Sequence, residues 1–382
     1  MNKIRVMSVF GTRPEAIKMA PLVKVLEQEP AIESIVCVTA QHREMLDQVL
    51  AAFDLHPDFD LDIMELGQTL STVTAKVLTG LQTVLEQAKP DLVLVHGDTS
   101  TSFVAALAAF YAKIPVGHVE AGLRSFDKYS PYPEEMNRRL TGVIGEYHFA
   151  PTPANRENLA REGITANVFV TGNTVIDALA TTVQPGYQFE DKDLQQLDFS
   201  KKLVLLTSHR RENYGEPMEI IFGAVRTLAQ ENPGVTLVCP VHLSPYVQQT
   251  ARKHLEDLPN VCLTAPLGVF DMHNLMDRAD FILTDSGGLQ EEAPALGKPV
   301  LVLRRETERP EAVAAGTVRL AGTDRENILS LARELMQGGE LYTAMRHAVN
   351  PYGDGQASRR ICQNILYAFG LRETPAESFG EK

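Results

Sequence analysis

The run DLVLVHGDTSTSFVAALAAFYAKIPVGHVEAGLR, residues 91–124, decides the fold. It opens with a strand expected at Asp91–His96, apolar without a break from Leu92 to Val95, and turns at GDTS. An apolar helical stretch follows over Thr101–Ala112, and the chain returns as a second apolar strand at Val116–Val119. Continuous rather than alternating apolarity marks strands buried on both faces, and strand–helix–strand units of this kind join parallel strands. The habit extends in both directions. Strands are expected at Ile4–Phe10, Ile35–Thr39 and Val168–Thr171, then at Leu203–Thr207, Val235–Pro240, Val261–Thr264, Phe281–Thr284 and Val300–Leu303. Helical periods lie between them at Glu15–Gln28, Thr72–Gln87, Met218–Glu231 and Ile328–Gln337. Ten strands suit two smaller sheets better than one large sheet. The expected fold is therefore α/β, with two doubly wound Rossmann-like domains, 1–171 and 200–357. The polar stretch PGYQFEDKDLQQLDFSKK falls in and just beyond a connecting segment, 172–199. A last amphipathic stretch, 358–370, carries Ile361, Ile365, Leu366 and Phe369 on one face and is expected to complete the first domain.

The chain has 382 residues, 44% of them hydrophobic and 22% charged, with a formal net charge of −13. Such an acidic protein is a poor general ligand for nucleic acid or an anionic membrane surface. The expected partner is a small molecule, with neither nucleic acid nor membrane. The cysteines Cys37, Cys239, Cys262 and Cys362 stand far apart, so there is no CxxC pair, and no metal is expected. Free thiols suit a reducing compartment. The longest apolar stretch, FVAALAAFYA from Phe103, is about half a membrane span. The expected location is the cytoplasm.

In open α/β sheets, ligands bind beyond the carboxyl ends of the strands. After the first strand comes GTRPEAIK, where Thr12 and Glu15 have capping-box spacing and Arg13 and Lys18 add positive charge. This reads either as an anion site or as a well-capped surface helix. After DLVLVH stands Asp98, and after PVGHV stands Glu120. Singly, Asp98 could be a helix N-cap and Glu120 an ion-pair partner of Arg124. Together they place two carboxylates on one sheet rim, as acid–base chemistry requires. In PYPEEMNRR, Glu134, Asn137 and Arg138 share a helical face. In the second half, LVLLT leads to His209, Arg210 and Arg211, a combination suited to a phosphate and a proton donor. FILTD leads to Ser286, Gly287 and Gly288, which allow backbone to approach a phosphate, with Glu292 placed to bind a sugar diol; Asp285 with the glycines could instead be a plain turn. Arg304, Arg305 and Arg309 lie past the next strand. No GxGxxG or GxxxxGK[ST] motif occurs, so no dinucleotide cofactor is expected. These residues suggest a nucleotide diphosphate held between two domains, with carboxylates moving a proton on its substituent.

The ordered motifs GTRPEAIK, QHREMLDQV, HGDTST, HVEAGLRS, YPEEMNRR, SHRREN and TDSGGLQEEA resemble those of the non-hydrolysing UDP-N-acetylglucosamine 2-epimerases. The likeness runs from about Ile4 to Phe369. It implies a glycosyltransferase-B-like architecture with two domains facing across a cleft, a homodimer, and no cofactor. The implied reaction is reversible epimerisation at carbon 2 of UDP-N-acetylglucosamine to UDP-N-acetylmannosamine, by elimination and re-addition of UDP through 2-acetamidoglucal, for cell-surface polysaccharide synthesis. By the same resemblance Asp98, Glu120 and Glu134 are acid–base carboxylates, Arg138 holds the site, and His209 acts near the leaving diphosphate. Arg13, Lys18, Met272, Ser286, Gly287, Gly288, Glu292 and Arg309 bind UDP and its sugar, Met272 standing where a phenylalanine is usual. Gln41, His42, Gln68 and His242 match a second, activating UDP-sugar site, although Gly67 and Glu44 depart from its pattern. A hydrolysing epimerase, a glycosyltransferase and a UDP-sugar-sensing module are the competing readings.

Overall fold

In β1 (Ile4–Phe10), Ile4, Val6 and Phe10 enter one apolar core while Met7 and Val9 enter another. Successive side chains of a strand point to opposite faces, so a strand covered on both sides must be apolar throughout. The computed structural model describes residues 3–40, 43–65 and 67–380, and of residues 44 and 45 the backbone alone. Among these residues the chain divides into two units, Met1–Thr181 with Tyr352–Lys382, and Thr182–Pro351.

The first unit adds β2 (Ile32–Val38), β3 (Phe59–Asp60), β4 (Leu92–His96), β5 (Val116–Val119), β6 (Tyr147–Ala150) and β7 (Val168–Val170). They form one parallel sheet in the order β3-β2-β1-β4-β5-β6-β7. Helix Arg13–Gln28 covers one face, joined by the last helix, Ala357–Ala368, whose Ile361, Cys362 and Ile365 are buried there. Helices Leu70–Ala88 and Ser100–Tyr111 cover the other.

The second unit contains β8 (Leu203–Thr207), β9 (Thr236–Pro240), β10 (Val261–Thr264), β11 (Phe281–Thr284), β12 (Val300–Val302) and β13 (Val318–Leu320), parallel in the order β10-β9-β8-β11-β12-β13. Both units are thus doubly wound α/β folds, as the alternation of apolar runs predicts. Three strands escape the sequence reading: Phe59–Asp60, Tyr147–Ala150 and Val318–Leu320. Each is short, and each contains a polar or charged residue that breaks the apolar run.

In each sheet the winding reverses at one place, between β1 and β4 and between β8 and β11. A crevice opens at the carboxyl ends of the strands flanking such a point. In the first unit those ends lead to Gly11–Arg13 and Gly97–Asp98; in the second they lead to Ser208–Arg211 and Asp285–Gly288. No helix among the described residues is long and apolar enough to cross a membrane.

Candidate functional site

The helix after β4 begins at Ser100 and is capped by Thr99, whose hydroxyl accepts the Ser102 amide at 3.1 Å. Asp98 is therefore not the cap, and its carboxylate meets Arg138 Nη2 at 2.5 Å instead. Asn137, beside Arg138 on helix Glu134–Ile144, donates its Nδ2–H to the carbonyl of Asp98 at 2.9 Å. One helix thus holds Asp98 by side chain and backbone. Burial pushes the Asp98 carboxyl above its ordinary value; the Arg138 guanidinium pulls it down and the Glu120 charge adds to the rise.

Glu120 follows β5, the neighbour of β4, and sits at φ +63°, a conformation in which few non-glycine residues rest. Its Oε1 pairs with Lys18 Nζ and accepts Asn173 Nδ2–H at 3.0 Å. Its Oε2 lies 3.8 Å from His96 Nε2. Burial lowers His96 to about 4, so its imidazole is neutral at neutral pH. Arg124, the alternative partner considered for Glu120, binds Glu162 instead through two nitrogens at 3.1 and 2.8 Å. Gly97, at φ +65°, passes so close that a Cβ there would stand 3.2 Å from Glu120 Oε2. His118, buried in β5, donates Nε2–H to the Gly97 carbonyl at 2.8 Å and fixes that turn. Arg13 opens its helix half-buried, and Glu134 opens helix Glu134–Ile144 in a partly exposed position.

In the second unit the organising group is Asp285, which is fully buried. Its carboxylate accepts the Ser208 hydroxyl, the amides of His209 and Arg210, and Asn213 Nδ2–H, all between 2.9 and 3.1 Å. Rather than closing a plain turn, it fastens the loop after β8 to the end of β11. His209 Nδ1 lies 3.3 Å from Asp285 Oδ1, and burial holds the imidazole below its ordinary pKa. Ser286 stands at the N-cap of helix Gly287–Ala295 without a side-chain cap hydrogen bond, and the first amides of a helix have no acceptor within it. A Cβ on Gly287 would lie 3.5 Å from Arg210 Nη2 and 3.9 Å from Arg309 Nη2, so two guanidinium groups flank that helix start. Arg309 is held by the buried Glu291. Glu292, one turn into the helix, lies 3.6 Å from His273 Nε2. Met272, the neighbour of His273, is half-buried on helix Val269–Arg278. Arg304 is turned to Glu212 at 2.5 Å, and Arg305 reaches Thr323 at 3.5 Å.

Each unit therefore collects its own set: Arg13, Lys18, Asp98, Glu120, Glu134 and Arg138 in one; His209, Met272, Ser286, Gly287, Gly288, Glu292 and Arg309 in the other. Of the residues matched to an activating site, Gln41 and His42 lie outside the described residues. Gln68 is partly buried, with an Oε1 that has no hydrogen-bond partner among the described residues. His242 is exposed and stacks on His209, with ring centroids 5.5 Å apart and planes 16° from parallel. Among the site groups that escape the sequence reading are Asn173, Glu135 and Glu291. Asn173 follows β7 at a strand's carboxyl end, so the rule that selected Asp98 would have selected it too. Glu135, fully buried, accepts the amides of Ser125 and Phe126 and stands 3.4 Å from Arg138; Glu291 fixes Arg309. These last two read as ordinary helical acids, and only burial sets them apart.

The family described as UDP-N-acetylglucosamine 2-epimerase matches residues 24–366 of this chain. The UDP-N-acetylglucosamine 2-epimerase of Bacillus subtilis is 56% identical over 383 residues and is covered completely, as is this chain. A solved UDP-GlcNAc 2-epimerase from Neisseria meningitidis, bound to UDP-GlcNAc, is 48% identical with a TM-score of 0.86, over 95% of this chain and 100% of that one. The glycotransferase of kitacinnamycin, at 14% identity and a TM-score of 0.62 over 95% of this chain and 100% of that one, shares the fold alone.

Proposed function

The chain belongs to the UDP-N-acetylglucosamine 2-epimerase family of isomerases, and from that premise we propose that it works without hydrolysis, interconverting UDP-N-acetylglucosamine and UDP-N-acetylmannosamine through 2-acetamidoglucal. The observation that carries this reading is the pair of carboxylates at adjacent strand ends, Asp98 and Glu120, each largely buried and each paired with its own cation, Arg138 and Lys18. Epimerisation at carbon 2 removes a proton from one face and returns one to the other, which calls for two proton carriers.

In this reading a carboxylate takes the carbon 2 proton as the bond from carbon 1 to the UDP oxygen breaks, leaving the carbon 1–carbon 2 double bond of 2-acetamidoglucal. The UDP oxygen then re-adds to carbon 1 while a proton reaches the opposite face of carbon 2. The elevated Asp98 suits a group that must both hold and release a proton. Glu134 is the third carboxylate of the set. Charge that develops on departing UDP is met by the amides at the start of helix Gly287–Ala295, by Arg210 and Arg309, and by His209. Arg13 and Lys18 add positive charge around the substrate, Glu292 binds the ribose diol, and Met272 lines the uracil pocket. The product feeds cell-surface polysaccharide synthesis, in the cytoplasm, where the four thiols stay reduced.

A homodimer formed through the first unit belongs to the same proposal. Phe110, Tyr111 and Val143 are 60, 65 and 78% exposed on helices Ser100–Tyr111 and Glu134–Ile144, which pack against each other. Activation by UDP-N-acetylglucosamine at a second site is also part of it: His242, stacked on His209, gives a bound activator a direct route to the leaving-group histidine. Proton NMR in deuterium oxide tests the core of the reading. UDP-N-acetylmannosamine signals with deuterium at carbon 2 of both sugars are expected. Accumulating UDP and free N-acetylmannosamine would instead establish the hydrolysing reaction.

A further inference from the structure

We propose that Glu15 is a positioning residue for the proton-transfer step, its buried carboxylate locking the turn after β1 to the turn after β4. The inference rests on the reading of Asp98 and Glu120 as proton carriers. Glu15 is only 2% exposed, and its two oxygens serve different elements. Oε2 accepts the amides of Gly11 at 3.0 Å and Thr12 at 2.8 Å, the turn leading to Arg13 and Lys18. Oε1 accepts the hydroxyls of Thr99 at 2.6 Å and Ser102 at 2.8 Å, from the turn that carries Asp98.

A capping-box glutamate has to reach only the N-cap amide, and its other oxygen ordinarily faces water. Here that oxygen is spent on a second helix, across the point where the winding of the sheet reverses. The consequences run to both proton carriers. Thr99 is bonded to Asp98 along the chain. Lys18, one helical turn beyond Glu15, pairs with Glu120. Gly11 leaves the turn no slack, because a Cβ there would lie 1.9 Å from Thr39 Oγ1 and 2.8 Å from Thr101 Oγ1. One carboxylate thus sets the spacing of the groups that hold Asp98 and Glu120, and a misplacement of about 1 Å at such groups costs on the order of 100-fold in rate.

The test compares Glu15→Gln, Glu15→Ala and Thr99→Val in the full-length chain. The glutamine carbonyl can accept the Gly11 and Thr12 amides while its NH2 faces two hydroxyls able to turn and accept. Glu15→Gln is therefore expected to keep kcat within about fivefold, with an unchanged pH–rate profile. Glu15→Ala and Thr99→Val are expected to lower kcat about 10- to 100-fold, with KM for UDP-N-acetylglucosamine changed less than about threefold. Should Glu15→Ala fail to fold, Thr99→Val, nearly isosteric, decides; loss of its helix cap lowers the melting temperature without separating kcat from KM. A kcat for Thr99→Val within twofold of the parent would overturn the inference. So would a Glu15→Gln enzyme as impaired as Glu15→Ala. A crystal structure of Thr99→Val reads the geometry independently of activity: Asp98 displaced from Arg138 is expected, and an unmoved pair overturns the proposal. A parent protein that exchanges no deuterium at carbon 2 would refute the proposed function, and the displacement in that crystal structure would still judge the frame.

Discussion

At the scale of single residues, environment divides groups of the same type into different tasks. Asp98, Glu120 and Asp285 are carboxylates that follow strands, and Glu135 is a carboxylate in the first turn of helix Glu134–Ile144. Glu135 and Asp285 each accept two backbone amides, Glu135 with Arg138 beside it and Asp285 with the Ser208 hydroxyl and Asn213 side-chain amide as well, whereas Asp98 and Glu120 are paired through side-chain cations. Asp98→Asn is accordingly expected to lower kcat at least 100-fold with little change in KM, measured by coupled assay of the epimerised sugar nucleotide. The buried histidines form a second group. Burial lowers His96 to about 4, His118 to about 3 and His148 to about 4, against about 6.5 in an unfolded chain. A histidine held neutral in the fold contributes fully above pH 6.5, and stability is lost as the pH falls toward 4, because the unfolded chain takes up the proton first. His148→Gln should therefore flatten the fall in unfolding free energy between pH 6.5 and pH 4.5 by up to about 1.4 kcal/mol per pH unit, measured by urea titration.

At the scale of elements, turn chemistry at the strand ends does much of the positioning. The spacing of Thr12 and Glu15 announces a capping box, and the Glu15 carboxylate does reach back to the Thr12 amide. The sequence offers no sign that the same side chain also receives Thr99 and Ser102, which lie 84 and 87 residues further on. The amphipathic pattern near the end of the chain is legible in the same way. Ile361, Ile365 and Leu366 recur at helical spacing, and the helix Ala357–Ala368 buries Ile361 and Ile365 against the core of the first sheet. Ile365→Ala should cost about 2–5 kcal/mol through lost contacts and the cavity left behind, visible as a lower urea midpoint with an unchanged slope.

At the scale of the whole molecule, the acidic composition and the arginines near strand ends are compatible because they act over different distances. A net charge of −13 is spread over the surface and screened within about 10 Å, while Arg210 and Arg309 stand together at one helix start. The exposed apolar residues of the first unit are the other feature at this scale. Tyr111 lines a groove of about 780 Å³ together with Leu78, Leu85, Ala108 and Ile114. Val143→Asp should halve the mass measured by sedimentation at micromolar concentration, since a buried unpaired carboxylate is among the costliest changes an interface can suffer. A mass unchanged by that substitution would move the proposed dimer contact elsewhere.

The chain by itself determined the alternation of buried strands and helices, the two parallel sheets, and the placing of polar residues where strands end. These are local properties, since apolar periodicity and capping depend on neighbours a few positions away. Only the tertiary structure decided which partner each charged group takes. Glu120 lies four residues from Arg124 yet pairs with Lys18, 102 residues earlier, because β1 and β5 both flank β4. Asn173 and Glu15 entered the site for the same reason: strand order brings distant turns together, and strand order is not written in any one segment.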